Sequence, residues 1–224
     1  MKPASKHWAA AIMAAVLVSL GACGKAQQPD YLPWQIEQTT ASSSKVFHLE
    51  LGKSTLKDAI QTWQHFPELA VFVDAKQQKT LEAYFGRKLL GVFEAKLITE
   101  LDADAATLDQ MAANGIERKA QPSGSWRLTP SEPDTKRAND LLIKYLIYMP
   151  TADYNSDIIL KQFGEPKTMK DIKANAQYWF YPDKSLVLLL NSDGSDIFYY
   201  STPAHYAALA ERLMSQKEIS NHEQ

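Results

Sequence analysis

Residues 185–191 read SLVLLLN. In a strand this run sets Leu186, Leu188 and Leu190 on one face and Val187 and Leu189 on the other. A strand that is apolar on both faces needs cover on both, and one helix layer can cover only one. The preceding aromatic run behaves alike, with Trp179 and Tyr181 on one side and Tyr178 and Phe180 on the other. Either the other half of the chain or another protein must supply the second cover. Packing of one half on the other is the expectation, because the chain is long enough for a common core.

The remaining pattern is that of an α+β chain. KVFHLEL (45–51) alternates as a strand, and after Gly52 the residues Leu56, Ala59, Ile60 and Trp63 recur at helical spacing. Thr55, with Asp58 three positions on, suits the N-terminal cap of that helix. The intervening Gly52-Lys53-Ser54-Thr55 looks like the end of a phosphate-binding loop, but the position that would hold its first glycine is Phe47, so no nucleotide is expected. Gly52 reads instead as the bend from strand to helix. WQIEQ (34–38) is a possible edge strand pairing back on 45–51. LAVFVD, TLEAYF and VFEAKLITEL read as strands, followed by a helix from about Asp102 that stops at Asn114-Gly115.

The segment 119–135, KAQPSGSWRLTPSEPDT, has the composition of a linker. Beyond it come a strand (LLIKYLIYMP), a short helix (NSDIILKQFG), three strands near QYWFYP, SLVLLLN and DIFYY, and a closing helix from Pro203. The two halves align loosely, Phe72 with Phe180, Lys79 with Lys184 and Leu81 with Leu186. The expected fold is therefore two similar α+β lobes, 46–118 and 136–217, each a small antiparallel sheet of three to four strands flanked by two helices. A disordered tail at 218–224 would follow.

The amino terminus bears on location. Lys2 and Lys6 precede an apolar run from Ala9 to Leu20, too short to span a bilayer, and then Leu20-Gly21-Ala22-Cys23. These residues resemble the lipobox of bacterial lipoproteins. The resemblance implies a signal peptide at 1–22, cleavage between Ala22 and Cys23, and acylation of Cys23, the only cysteine in the chain. Gly24 after the cysteine implies sorting to the inner leaflet of the outer membrane, with 23–45 as lipidated cysteine and tether. Cleavage removes two lysines and no acid, taking a formal charge of −2 to −4. No basic stripe suggests nucleic acid, and a lone cysteine leaves no disulfide.

Catalytic groupings are sparse. His48, His65, His205 and His222 have no partner at metal-binding spacing, no serine elbow is present, and NSDGSD (191–196) lacks the spacing of a calcium loop. No cofactor, no metal and no enzyme activity are expected. The second half does resemble the SmpA/OmlA, or BamE-like, domains of outer-membrane lipoproteins. That resemblance rests on NSDIILKQFGEP, YWFYP and LVLLLNSDG. It implies Asn155 as helix cap, Ile159 and Phe163 as buried face, Gly164 and Pro166 as helix exit, Trp179 and Tyr181 as aromatic strand, and Asp193-Gly194 as hairpin turn. The expected function is a protein-binding or envelope-assembly accessory module, held to the membrane by its lipid and meeting an envelope protein through Tyr31, Trp34, Trp179 and Tyr181. The alternatives are a ligand or lipid carrier, or a hydrolase using Asp183, His205 and Glu82 between the lobes.

Overall fold

A computed structural model describes residues 31–173, 175–192 and 195–215. The signal peptide, Ala22, Cys23, Gly194 and the tail at 218–224 lie outside the described residues. A small sheet contains β1 (Glu37–Thr40), β2 (Ser43–Val46) and β3 (Leu49–Leu51). Ten more strands form one large antiparallel sheet. In chain order they are β4 (Glu68–Val73), β5 (Lys79–Leu90), β6 (Phe93–Leu101), β7 (Glu117–Ala120), β8 (Trp126–Thr129), β9 (Ile143–Pro150), β10 (Thr168–Lys173), β11 (Ala176–Tyr181), β12 (Leu186–Asn191) and β13 (Ile197–Ser201). Across the sheet the order is β10-β11-β12-β13-β9-β6-β5-β4-β8-β7. The helices are α1 (Leu56–Trp63), α2 (Ala105–Ala113), α3 (Glu132–Ala138), α4 (Ser156–Phe163) and α5 (Pro203–Met214).

This arrangement overturns the expectation of two similar lobes, each with its own small sheet and pair of helices. The halves share one sheet because β9 is apolar on both faces and takes a partner on each edge. It pairs with β13 on one side and with β6 on the other, in register from Ala95 opposite Pro150 to Leu101 opposite Ile143. Leu146 and Tyr148 of β9 point to one face, Tyr145 and Ile147 to the other, and a strand so built is suited to a sheet centre.

The helices are distributed unequally over the two faces. The inner face, carrying Val71, Leu81, Phe85, Leu97, Tyr148, Leu188 and Phe198, is covered by α1 to α4 and the small sheet in one continuous core. The outer face is covered only in part. There α5 lays Leu209 and Leu213 on Tyr145, Ile172, Tyr178, Phe180 and Val187. The second face of β12 is thus closed by the chain's own last helix rather than by packing of one half on the other.

Local chemistry explains several junctions. The run 45–51 is not one strand: Phe47 and His48 take φ of 47° and 64° and form the turn between β2 and β3. Such angles are unfavourable for these residues. Tertiary packing offsets the cost: Phe47 is buried and stacks on Tyr148 at 5.0 Å and meets Tyr200 edge-on at 5.7 Å, while His48 stacks on Tyr31 at 4.2 Å. Gly52 has φ 84°, and a Cβ there would lie 2.7 Å from the Ser42 carbonyl oxygen. Thr55 caps α1 in a reciprocal box with Asp58, whose carboxylate accepts the Thr55 backbone N–H at 2.7 Å.

Asn155 caps α4 by accepting from the Ile158 N–H, and Gly164 follows the helix at φ 80° ahead of Pro166. The Tyr181 hydroxyl donates to the Gly164 carbonyl at 3.0 Å, fixing the helix exit to β11. Residues 119–135 carry the end of β7, all of β8 and the first turn of α3. Leu128 of β8 enters the core opposite Val71, which is what draws this proline-rich stretch onto the sheet.

Candidate functional site

One row of side chains crosses the outer face of the large sheet from strand to strand: Phe180, Val187, Tyr199, Ile147, Ile98, Tyr84 and Glu68, each opposite the next. The row passes from buried to exposed: Phe180 and Val187 beneath α5 are 2% and 0% exposed, Tyr199, Ile147 and Ile98 are half-buried, and Tyr84 reaches 38%. Phe72 of β4 and Met149 of β9 are also half-buried on this face. The row is apolar up to Glu68, whose carboxylate pairs with Arg127 at 3.2 Å. The result is an apolar strip emerging from under a helix, with charge at its far end.

Charged groups mark the line where the helix cover stops. Glu82 of β5 lies directly opposite Glu100 of β6, and Glu100 opposite Tyr145 of β9. Arg212 of α5 reaches the Glu100 carboxylate at 2.8 Å, and Lys144 approaches its other oxygen at 3.6 Å. Glu100 is therefore buried with two cations. Among the described residues no cation pairs with Glu82, whose carboxylate accepts only a long hydrogen bond from the Thr80 hydroxyl at 3.4 Å. Burial pushes its carboxyl up to about 7, and the neighbouring Glu100 carboxylate adds to the rise. Burial, with Glu100 again contributing, pushes the Tyr145 phenol up to about 12. Such a cluster can hold or release a proton near neutrality at the margin of the helix.

The three groups weighed for a hydrolase do not converge. Glu82 faces Glu100, His205 shares a hydrogen bond with the hydroxyl of its cap Thr202 at 2.9 Å, and Asp183 lies in the turn Pro182–Lys184. No hydrogen bond or ion pair among the described residues joins any two of them. No group of three or more His, Cys, Asp or Glu among those residues could hold a metal ion.

The four aromatics expected at a partner surface are also apart. Trp179 and Tyr181 belong to the core, 7% and 4% exposed, because the inner face of β11 is roofed by α4. Tyr31 and Trp34 are half-buried and line a cavity of about 520 Å³ beside the small sheet, where Trp34 meets Phe93 edge-on at 6.1 Å. A second groove, about 580 Å³, lies between the β10–β11 and β12–β13 hairpin ends and the start of α4, and Trp179 reaches its wall. There Gln177 donates to Asp171 at 2.6 Å, and Asp196 accepts the N–H groups of Tyr154 and Asn191, which locks the walls together.

Sequence reasoning missed Tyr84, Ile98 and Ile147. Their signal was present: each follows the period-two pattern of its strand, on the face opposite Leu81, Leu97 and Tyr148. Glu100, an acid inside the apolar run AKLITEL, was a second signal. The chain matches no protein family, no curated protein and no solved structure.

Proposed function

We propose that this chain is a lipid-anchored binding module of the bacterial envelope, held at the inner leaflet of the outer membrane through Cys23 and receiving an envelope protein on the open half of its outer sheet face. The observation that carries the reading is the apolar row running out from beneath α5 to Tyr84. Natural sheets seldom leave such a strip bare, and an apolar centre within a charged rim is the anatomy of a protein interface. Strands lie about 4.8 Å apart and helices need roughly 10 Å, so the space beside α5 over β6 and β5 suits one further helix. The sequence Leu20-Gly21-Ala22-Cys23 supports the anchor. No helix of the described residues is long and apolar enough to cross a membrane.

A photo-crosslinking side chain at Tyr84, compared with one at Lys136 on α3, tests the reading in intact cells. A discrete protein adduct from position 84 and none from 136 is expected. Equal, diffuse adducts from both positions would sink it.

A further inference from the structure

One end of the large sheet is unlike the rest of the surface. Four large apolar side chains are more than 70% exposed among the described residues, Phe66 at 83%, Leu89 and Ile116 at 72% and Val92 at 71%. Strand directions bring all four to the same end. Leu89 and Val92 form the tip of the β5–β6 hairpin, around Gly91 at φ 59°. Because β4 runs antiparallel to β5, with Glu68 opposite Tyr84, Phe66 enters β4 at the hairpin end. Ile116 precedes β7, which runs parallel to β4 across the intervening β8, so it starts at that end too. β5 continues six residues past Tyr84, so the tip stands beyond the end of β4.

The described chain also begins at this end. Trp34 packs on Phe93, the first residue of β6 after the hairpin turn, and Tyr31 lies three residues before it. Seven residues separate Cys23 from Tyr31, eight Cα steps with a reach of at most about 28 Å. An acyl group on Cys23 would therefore keep the start of the domain, and the nearby hairpin, within that reach of the bilayer. The hairpin's own charges are mainly basic: Arg87, which meets Glu94 at 3.5 Å, stands behind the tip with Lys88 and Lys96. The apolar tip can insert while these cations face the headgroups.

We propose that the β5–β6 hairpin tip, with Phe66 set back beside it, is a membrane-contact surface that dips Leu89 and Val92 into the interfacial region of the leaflet carrying the lipid anchor. The inference rests on the anchor reading and goes beyond it, since a tether alone leaves the domain free to tumble. Two signals together, a lipid and an inserted tip, fix an orientation that one does not. The sheet then stands with its strands rising from the membrane and its outer face turned sideways toward a partner.

The test uses the full lipidated chain in vesicles of phosphatidylethanolamine and phosphatidylglycerol. Acylation blocks Cys23, so a cysteine introduced by Val92→Cys is the single labelling site for an environment-sensitive dye; Lys76→Cys, in the exposed β4–β5 turn at the opposite end of the strands, is the control. Blue-shifted emission quenched by brominated lipid at 92 but not at 76 is the expected result. Emission at 92 as wet as at 76 overturns the inference while leaving the anchor intact. A chain shown by mass spectrometry to carry no acyl group defeats the anchor reading and this inference with it. Leu89→Cys provides a second probe position should the Val92 substitution fold poorly, and it must report the same insertion.

Discussion

On the inner side of β5, Leu81, Ala83 and Phe85 are fully buried, whereas on the outer side of the same strand Thr80 and Glu82 are half-buried and Tyr84 is exposed. β12 lacks this asymmetry: Leu186 and Leu188 inside and Val187 outside are all at 0%. The difference lies in cover, since α5 roofs the outer face of β12 and no described element roofs that of β5. Sheet geometry supplies two faces everywhere, and the described residues close the second where α5 reaches. The remainder, with Tyr84 exposed and Ile98 and Ile147 half-buried, is the surface on which we propose a partner sits.

The inner face is where the comparison predicts the greatest damage. Phe198 is fully buried and touches Tyr148, Tyr154, Phe163 and Tyr200. Phe198→Ala is expected to cost about 3–5 kcal/mol in denaturant unfolding. A smaller loss comes from the covered part of the outer face. Arg212→Ala strips Glu100 of its closer cation and leaves Lys144, for an expected cost of about 2–3 kcal/mol; a negligible cost would mean that α5 is held by Leu209 and Leu213 alone.

At the margin, Glu82 holds its proton more tightly folded than unfolded. Its contribution is therefore complete below about pH 4.5 and is lost as pH rises through about 7. A fall in stability of about 1–2 kcal/mol across that window is expected, reduced for partial exposure, and Glu82→Gln should flatten it. The smallest effect belongs to the open strip. Tyr84→Ser is expected to change stability by about 0.5 kcal/mol or less while abolishing the crosslinked adduct formed from position 98. A cost as large as that of a core residue would show that Tyr84 is already covered.

How much was legible follows the same division. Leu56, Ala59 and Trp63 showed α1, and Gly52, Thr55 and Asp58 showed how it begins, because caps and turns depend on neighbours in the chain. The turn at Phe47-His48 was hidden, since nothing local favours it and its support comes from Tyr148 and Tyr200, a hundred residues and more away. β7 and β8 were hidden by Pro122, Gly124 and three serines, although Leu128 was bound for the core. The two-lobe reading failed for a related reason: the apolar alternation of β9 specifies burial on both faces but not which strands flank it. At the site, Trp179 and Tyr181 drew notice for their size, and size is a better guide to burial than to function.

The pairing of β6 with β9 has a consequence for the chain as a polymer. Residues 93–101 and 143–150 lie on either side of the exposed turn at Pro122, Ser123 and Gly124, yet they form the central seam of the sheet. A single cut in that turn would produce two pieces, neither with a complete sheet, each ending in an unsatisfied strand that matches the other. Such fragments are each other's best ligand. Expressed separately, they should reassemble into the nicked protein, making this a molecule that can be split and restored by association alone.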